Sequence, residues 1–568
     1  MQKPHPVFRL LPSAADFAFL MPAVFLFLRL NGAKRLLMDG DTGWHVRTGE
    51  WILAHHAIPR QDFFSFTKPG APWFAWEWLW DLCFGWLHLH WGMAAVVLAS
   101  VLILCACSLL VFQVARKVSG EPVLALAAMF LAMAASAVHW LARPHLVTLL
   151  FTAAWMAMLA GMDPAVAGGA LAEGGAREEV RPQRASWRGL FWMPPLTVLW
   201  VNLHGGFFVG ILLLAMCAAG SALEWAFQPA RREKLAWARR YGLTAAACLA
   251  VSLINPYGYR LHVHIFEYFR DSYLLQAIQE FQTMSFHAVG AGFFESLLAL
   301  AVLAAGWNLV KRRFTPAILV AAWGHMALIA ARNIPLFAFV AAPVVAGAGA
   351  EMLASVREGF EPQWFARRVE DLRSVLAEFG AVDRLPRAYA LSVLGVLVLA
   401  VGLLRNTGPA GSKWQASFDE NNFPVAAAER LAAQMNSRRI FTTDQWGDYL
   451  IYRFYPSGGK VFIDGRSDFY GSDFGNAYLD VLSVNYKWPD VLGRYSVDTV
   501  LIPVANPLSG ALKNSSRWRV AYDDGKAIIF VSSKFSTHSG NICDAGSSPK
   551  EVTGGSQFTT DTKERTNL

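Results

Sequence analysis

The chain has 568 residues, and 55% of them are hydrophobic on a count that leaves glycine out. Soluble domains are about 45–50% apolar even with glycine included, so the composition excludes an ordinary soluble enzyme. The formal net charge is +8, but the basic residues occur in short clusters between apolar segments. That pattern is typical of membrane topology and not of a nucleic-acid-binding surface. The six cysteines lack metal-ligand spacing and lie mostly in apolar runs, which predicts buried free thiols.

Apolar stretches of membrane-spanning length recur along residues 1–404. We expect a polytopic α-helical membrane domain with about 11 transmembrane helices. An aromatic segment at 76–92 is of mixed polarity and is predicted to lie in the membrane interface. The predicted spans are 14–32, 93–114, 122–140, 146–162, 191–203, 206–227, 241–256, 292–310, 314–331, 334–350 and 388–404.

The distribution of Lys and Arg predicts the orientation. With the N-terminus in the cytoplasm, 22 basic residues up to residue 404 fall on the cytoplasmic side and nine on the other side. Cytoplasmic loops carry such an excess in membrane proteins. We therefore expect the first outer loop, 33–75, and everything after residue 404 to lie outside. Residues 353–387 are charged and amphipathic, which predicts a helix on the cytoplasmic surface.

After residue 404 the composition becomes that of a soluble domain. Pro424 is predicted to open a helix through Met435, and strand-like runs lie at 439–443, 460–464, 498–503, 518–522 and 526–532. Helical stretches fall near 473–484 and 507–514. This indicates a small α/β domain at 405–535 on the outer face. The Ser-, Thr- and Gly-rich tail 536–568 is expected to be disordered.

The first outer loop contains Met38-Asp39-Gly40-Asp41-Thr42-Gly43-Trp44-His45. Two unit charges of one sign 4 Å apart repel by roughly 4 kcal/mol at an effective dielectric near 20. The acidic pair therefore indicates a divalent cation, or a catalytic base held close to one. The alternative is an Asp-Gly-Asp turn that leads the chain off a helix. Residue type alone leaves both open.

The unusual polar clusters of the membrane domain nearly all fall at the outer ends of predicted spans. Costly polar groups gathered at membrane depth on one face predict a single site there. The clusters are Asp39-Gly-Asp41 with His45, His139 to His145, Asn202 to Gly206, Asn255 to Arg260, Gln279 to Gln282, and Arg332 to Pro335.

An outer-face site restricts the reaction, because no ATP or sugar nucleotide is expected there. The chain also contains neither a Walker loop nor a dinucleotide fingerprint, so we expect no nucleotide cofactor. An activated substrate would arrive as a polyprenyl-phosphate-linked sugar. Its transfer needs a base, groups that bind the leaving phosphate, and an apolar groove for the lipid. Asp39 and Asp41 suit the first role, and the predicted phosphate or substrate ligands are His45, Arg143, His145, His204, Arg260 and Arg332.

Several motifs together resemble bacterial membrane proteins of the GT-C glycosyltransferase superfamily. They are the first-loop Asp-x-Asp with Trp44-His45 and Gly49-Glu50-Trp51-Ile52, Ile58-Pro59 with Asp62-Phe63-Phe64-Ser65-Phe66, Arg143-Pro144-His145, Asn202-x-His204-Gly205-Gly206, Asn255-Pro256-Tyr257-Gly258, Asp444 to Leu450, and Phe462 to Arg466.

The resemblance extends distantly to protein O-mannosyltransferases, aminoarabinose transferases and the catalytic subunit of oligosaccharyltransferase. It implies a lipid-phosphate sugar donor and a first-loop acidic motif that acts as base or metal ligand. On that basis Asp41 is the expected base, and Asp39 is the second carboxylate. A divalent cation, Mg²⁺ or Mn²⁺, would then be held by Asp39 and Asp41. The resemblance also implies location in a bacterial inner membrane with a periplasmic C-terminal domain.

Trp446-Gly447-Asp448-Tyr449 resembles the Trp-Trp-Asp-Tyr-Gly acceptor-binding motif of oligosaccharyltransferase. Trp446, Asp448 and Tyr449 are therefore acceptor-binding candidates, with the core of the domain as the alternative. Gly447 replaces the second Trp and Leu450 the final Gly. These departures weaken the expectation of a peptide sequon as acceptor.

The predicted function is transfer of a hexosyl or pentosyl group from a polyprenyl-phosphate donor to a glycan, lipid or protein. A transporter or flippase for lipid-linked saccharides is an alternative, although no repeated halves of the kind common in transporters are visible. A non-catalytic assembly or sensor protein of the same fold is a second alternative. An O-antigen-type ligase or polymerase is a third, and it would need no acidic pair.

Overall fold

The structure is a computed structural model that describes residues 9–169, 187–356, 362–383, 385–405 and 412–533. The predicted tail 536–568 and part of the basic loop near Arg177 lie outside the described residues. Helices dominate the first 405 residues, and a small sheet with short helices follows. The helices of the first part are α1 (Ala14–Leu28), α2 (Ala33–Leu36), α3 (Asp41–His55), α4 (Trp78–Ser119), α5 (Pro122–Ser136), α6 (His145–Met162), α7 (Met193–Leu203), α8 (Phe208–Phe227), α9 (Arg232–Val251), α10 (Tyr259–Tyr268), α11 (Ser272–Ala277), α12 (Ala291–Val310), α13 (Phe314–Ile329), α14 (Ile334–Ser355), α15 (Gln363–Asp383) and α16 (Ala390–Leu404).

Within the described part of the chain, six helical segments are long and apolar enough to cross a membrane. They are Trp78–Ser119, Pro122–His139, His145–Met162, Gly205–Phe227, Ala291–Val310 and Ala331–Ser355, and shorter apolar helices are Ala14–Leu28, Phe314–Ile329 and Ala390–Leu404. The expected count of eleven is not confirmed. A span needs about 20 residues to cross a hydrocarbon core of roughly 30 Å, whereas α7 in the predicted span 191–203 has only 11 residues.

The predicted interface helix at 76–92 and the following span belong to the single 42-residue element α4. The element bends at Gly92, which adopts a left-handed φ of 69° that L-residues with side chains rarely tolerate. The kink therefore separates the aromatic segment before Gly92 from the apolar span after it. The predicted surface helix within 353–387 is present as α15.

Helix α14 is the central helix of the membrane domain. Its residues 334–344 are all buried, and it packs against α4, α5, α12 and α13. Small residues such as Ala338, Ala341 and Ala342 allow close approach of neighbouring backbones, the usual means of packing helices in a membrane. This packing holds together the outer ends that carry the polar clusters.

The C-terminal part contains a four-stranded sheet in the order β1-β2-β4-β3. Strand β1 is parallel to β2, and the other two pairs are antiparallel. Its buried face contains residues such as Phe441, Val500 and Phe530. The elements are β1 (Ile440–Phe441), β2 (Thr499–Pro503), β3 (Trp518–Asp523), β4 (Ala527–Ser532), α17 (Val425–Leu431), α18 (Asp444–Phe454), α19 (Ser467–Leu482), α20 (Trp488–Arg494) and α21 (Pro507–Lys513).

Four of the five predicted strands are present, with shifted ends. The predicted strand at 460–464 is wrong: Val461 only forms an isolated parallel bridge with Ser65 of the first outer loop. Pro424 is the residue before helix α17, which ends at Leu431 and continues as a 3₁₀ turn through Ser437. Helix α18 (Asp444–Phe454) is an addition to the predicted elements, since its residues carry a motif resemblance that predicts no helix.

The C-terminal domain docks on the first outer loop through helices α3 and α18. Gly40 and Gly43 make this approach possible, since a Cβ atom on either would meet the backbone or side chain of Asp448. The side chain of Gln445 accepts a hydrogen bond from the Gly40 N–H at 2.8 Å, and Lys34 pairs with Asp419 at 3.3 Å. The acidic pair therefore lies beneath the C-terminal domain.

Candidate active site

A cavity of about 1330 Å³ lies where the loop 33–75, the helix ends that carry the polar clusters and the C-terminal domain meet. Its apolar lining includes Phe25, Leu30, Val138 and Phe293. The C-terminal domain contributes residues from the start of α18, from the start of α19 with the two residues before it, and from the end of α19. The predicted site residues that line the cavity are Asp39, Asp41, His45, Arg143, His145, His204 and Arg332.

The Asp-Gly-Asp segment both begins a helix and forms part of the cavity wall. Asp41 is the first residue of α3, and its backbone N–H donates to Asp39 Oδ1 at 2.9 Å. The N-terminus of a helix stabilises nearby negative charge. The segment for which the sequence left a turn and a site open thus begins a helix and lines the cavity, and its role as a site stays a prediction.

The cation between the two carboxylates in the structure is the guanidinium group of Arg143. It contacts Asp39 Oδ2 at 2.8 Å and Asp41 Oδ2 at 2.7 Å. Burial alone would lower the pKa of Arg143, but Asp39 and Asp41 raise it well above its usual value. Paired guanidinium–carboxylate contacts of this length are strong and directional. Arg143 therefore fixes the orientation of Asp41.

The other oxygen of Asp41 faces the C-terminal domain. Asp41 Oδ1 and Asp448 Oδ2 are both buried and accept no hydrogen bond from another N–H or O–H group of the described residues, but the two side chains are close enough to share a hydrogen bond when one of them is protonated. A Cβ atom on Gly465 would collide with the first oxygen and come within 2.8 Å of the second. Burial raises the pKa of Asp41 to about 7, with Arg143 opposing the rise and Asp39 adding to it. A carboxyl group with this pKa can exchange a proton near neutral pH.

The Glu280 carboxylate lies within 4 Å of both Arg143 and Arg332. It is 3.4 Å from Arg332 Nη1, 3.5 Å from His139 Nε2 and 3.7 Å from Arg143 Nη1. Burial would raise the pKa of Glu280, but Arg332 and Arg143 lower it to about 2. Glu280 is thus ionised, and three carboxylates face two guanidinium groups here.

A second buried cluster centres on Glu77, just before α4. Glu77 lies 3.7 Å from His45 Nε2 and 3.4 Å from His204 Nε2, and His45 Nδ1 contacts Asp81 at 2.6 Å. Burial raises the pKa of Glu77 to about 8 and lowers the pKa of His204 to about 3. Near neutral pH this part of the wall is polar but uncharged.

The C-terminal domain is anchored beside the cavity by a buried arginine. Arg466 Nη2 contacts Asp62 at 2.6 Å and Asp464 at 2.7 Å, and its guanidinium lies over the ring of Trp73 at 4.6 Å. Asp468, the second residue of α19, forms a hydrogen bond with His264 Nε2 at 2.9 Å. These contacts bind the cavity wall to both the first loop and α10.

Some predicted residues lie away from the cavity. Arg260 is exposed on α10 and is not part of the lining. Trp446 donates to the Asn422 carbonyl at 2.8 Å and lines a separate cavity of about 920 Å³. Tyr449 packs against Phe418 in the interior of the domain. Of the three acceptor-binding candidates, only Asp448 comes close to Asp41.

Three residues that the sequence analysis assigned no role belong to the site. Glu77 was visible only as a lone acid in a tryptophan-rich segment, and Asp81 follows it by one helical turn. Glu280 was noted as part of a polar cluster, but no partner could be assigned to it from sequence. The available signal in each case was a carboxyl group next to apolar, membrane-depth residues.

Among the residues that the structure describes, no group of three or more His, Cys, Asp or Glu side chains could hold a metal ion. The divalent cation expected at Asp39 and Asp41 therefore stays a prediction. The two buried carboxylate oxygens of Asp41 and Asp448 are too few to hold such an ion without further ligands. Mg²⁺ often takes one or two protein carboxylates and completes its shell with water and substrate phosphate.

No protein family profile matches the sequence, and no curated protein matches it either. Solved structures do match. One is the Archaeoglobus fulgidus oligosaccharyltransferase tethered to an acceptor peptide with the NVT sequon, at 12% identity and a TM-score of 0.50, covering 92% of this chain and 74% of that one. The same enzyme with Zn and sulfate matches at 13% identity, 92% and 73% coverage, and a TM-score of 0.47.

ArnT from Cupriavidus metallidurans bound to undecaprenyl phosphate matches at 13% identity and a TM-score of 0.44, covering 91% of this chain and 97% of that chain. At these identities the likeness concerns the fold, and the match with a TM-score of 0.50 carries it. The chain has a GT-C-like fold, as the resemblance of its motifs implied.

Proposed function

We propose that this protein is a glycosyltransferase that transfers a sugar from a polyprenyl-phosphate-linked donor to an acceptor hydroxyl or amide. The reaction takes place at the outer face of a bacterial inner membrane, with the N-terminus in the cytoplasm. One observation carries the proposal: the Asp41 carboxyl group is held by Arg143 at the wall of a large, partly apolar cavity. The GT-C-like fold agrees with it.

Asp41 acts as the general base. Arg143 holds Oδ2, and Oδ1 is the oxygen available to a proton. The acceptor O–H or N–H gives its proton to Asp41, and the acceptor atom forms a bond to the anomeric carbon of the sugar. The bond from that carbon to the phosphate oxygen breaks, and the lipid phosphate leaves with the electron pair. A positioned base contributes about 10²–10⁴-fold to such a step.

The leaving phosphate binds near Arg143 and Arg332. The carboxylates of Asp39, Asp41 and Glu280 already face these two guanidinium groups, so an added phosphate needs further positive charge. A divalent cation held by Asp448 together with substrate oxygens, beside Asp41, would stabilise the charge on the phosphate and leave Asp41 Oδ1 to the proton. Asp39 then keeps Arg143 in place.

The lipid chain of the donor lies along the apolar part of the cavity. Phe25 and Leu30 of the first helix region line it on one side, and Val289 and Phe293 line it near α12. These side chains match a polyprenyl chain, because burying apolar surface is favourable by about 25 cal/mol per Å². Exposed Phe130 lies beside both walls, in edge contact with Phe25 and Phe293.

The test is sugar transfer by purified protein supplied with polyprenyl-phosphate sugars. Wild type is compared with Asp41→Asn and with Asp490→Asn, a control at an exposed position of α20. We expect Asp41→Asn to lose about 10²–10⁴-fold in turnover while the control stays at the wild-type rate. Chelation by EDTA should slow the wild type if a divalent cation takes part. Equal turnover in both variants would refute Asp41 as the base.

A further inference from the structure

Five residues of the cavity wall form what we name the aromatic–imidazole recess: Trp44, His45, Trp76, Glu77 and His204. Glu77 is at its centre, 3.7 Å from His45 Nε2 and 3.4 Å from His204 Nε2. Hydrogen bonds of the N–H···O type are about 2.7–3.2 Å long, so Glu77 lies near both imidazoles but forms no hydrogen bond of normal length with either. Their hydrogen-bonding capacity is available to a ligand in the cavity.

The partner of Nδ1 in each imidazole determines which hydrogen-bonding group Nε2 presents to the recess. His204 Nδ1 accepts a hydrogen bond from the Gly206 N–H at 3.0 Å, so in the neutral ring the proton is on Nε2. His45 is oriented by Asp81, which contacts Nδ1 at 2.6 Å. Such support by second partners is how proteins fix the orientation of binding imidazoles. The recess therefore presents a fixed N–H donor at His204 and a second fixed ring nitrogen at His45.

Trp44 supplies an independent sign that a ligand belongs here. Its indole N–H is buried and has no hydrogen-bond partner among the described residues, and the ring stacks on His45 with centroids 3.6 Å apart. Buried donors are normally satisfied. A ligand oxygen in the recess would satisfy this one. Trp76 packs over Gly205, next to His204, where a Cβ would already touch the indole ring at 3.4 Å.

We propose that the aromatic–imidazole recess holds the sugar ring of the donor and takes an uncharged sugar through its hydroxyl groups. This inference rests on the proposed transfer from a polyprenyl-phosphate donor. The indole rings provide apolar surface for the C–H groups of the sugar ring. Glu77, His45 and His204 provide the hydrogen bonds that its hydroxyl groups need, an arrangement typical of small-molecule sites.

The charges around the recess exclude an acidic sugar. A sugar carboxylate in the recess would lie near Asp41 and Asp468, and the two guanidinium groups of the cavity, Arg143 and Arg332, are already paired with carboxylates. Its charge would therefore be buried without a free cationic partner, which is costly. Burial keeps Glu77 protonated, with a pKa of about 8. Its neutral carboxyl group both donates and accepts hydrogen bonds, as a hydroxyl-rich ligand requires.

The experiment measures binding of four lipids to the full-length protein in nanodiscs: bare polyprenyl phosphate and polyprenyl phosphate linked to glucose, glucuronic acid or glucosamine. We expect the glucose lipid to bind at least about tenfold more tightly than bare polyprenyl phosphate, and the glucuronic acid lipid to bind no more tightly. Binding of none of the four would overturn the proposed function and this inference with it. Binding of the bare lipid without a gain from glucose would overturn this inference alone.

Variants separate a sugar-binding role from a structural one. His204→Asn keeps an acceptor for the Gly206 N–H but removes the atom that faces Glu77, and His90→Ala is the matched control at an exposed position of α4. We expect His204→Asn to lose about tenfold in glucose-lipid affinity with unchanged affinity for the bare lipid. Glu77→Ala should lose as much, and Glu77→Gln should recover most of it.

Tighter binding of the glucosamine lipid than of the glucose lipid, with loss of that preference in Glu77→Gln, would overturn the uncharged-sugar assignment. It would mean that Glu77 binds as a carboxylate. Equal losses for the bare lipid and the glucose lipid in His204→Asn would also overturn it, because the recess would then support the cavity without contacting the sugar.

Discussion

Gly465→Ala is the sharpest test of the arrangement around Asp41. The added methyl group would collide with Asp41 Oδ1 and lie 2.8 Å from Asp448 Oδ2. Gly465 does not have a left-handed backbone, so alanine adds no backbone strain and the effect comes from the collision alone. Asp41 must then move, and the interface between the first loop and the C-terminal domain must open slightly.

The expected size of the effect follows from the geometry. Forcing an extra methyl group into a packed interior costs about 1–3 kcal/mol of stability. A displacement of a reacting group by about 1 Å costs about 10²-fold in rate. We therefore expect turnover to fall about 10²-fold with little change in donor binding, since the other cavity-lining groups stay in place.

The assay is sugar transfer under saturating donor, with thermal unfolding measured on the same preparations. Gly510→Ala is the matched control, because Gly510 lies inside α21 with no atom within 4 Å of the added Cβ. Alanine should stabilise that helix by up to about 1 kcal/mol. A folded Gly465→Ala protein with wild-type turnover would refute the placement of Asp41 as the base.

Two further predictions concern groups beside Asp41. Arg466→Met leaves the buried carboxylates of Asp62 and Asp464 without their shared cation, so the C-terminal domain should lose about 3–5 kcal/mol of stability. The exposed control Arg519→Met should change it by less than about 0.5 kcal/mol, as measured by thermal unfolding, and equal effects would contradict the buried ion cluster. Binding of a glucose-linked donor should be constant up to neutral pH and should weaken as the pH rises through about 8, because the pKa of Glu77 is raised to about 8 and ionisation removes its O–H donor. Glu77→Gln should abolish that decline, and an unchanged decline would assign it to another group. The charged and titratable residues that face Glu77 are His45, His204, Arg143, Asp468, Asp41, Arg332 and Asp81.

The parts of the candidate site that can be predicted from the sequence are those whose residues lie close together along the chain. The Asp39–Asp41 pair is adjacent in sequence, and a pair of close carboxylates demands a positive partner on electrostatic grounds. That the partner is Arg143, 102 residues beyond Asp41, depends on the packing of α6 against the outer ends of its neighbours. Arg260 shows the limit of the same reasoning. A basic residue at the end of a span is also suited to the surface, and Arg260 is exposed there.

Helix α18 illustrates a different limit. Trp446, Leu450 and Phe454 are four residues apart and buried, which is helical spacing. The resemblance of residues 446–449 to an acceptor-binding motif predicts a binding role for these residues and no helix. The helix matters because its N-terminal turn brings Gln445 to Gly40 and Asp448 to Asp41. A contact between residues some 400 positions apart leaves no trace in a single sequence.

The charge balance of the cavity limits how a donor can bind. Asp39, Asp41 and Glu280 bring three negative charges when ionised, and Arg143 and Arg332 bring two positive charges. A donor phosphate adds at least one more negative charge, and repulsion between unit charges 4 Å apart amounts to roughly 4 kcal/mol per pair at an effective dielectric near 20. Donor binding must therefore take up a positive charge, either a proton on Asp41 or a divalent cation. The two differ in consequence: a proton on Asp41 Oδ1 would block the base that the transfer needs, whereas a cation held by Asp448 and the phosphate would leave that oxygen free.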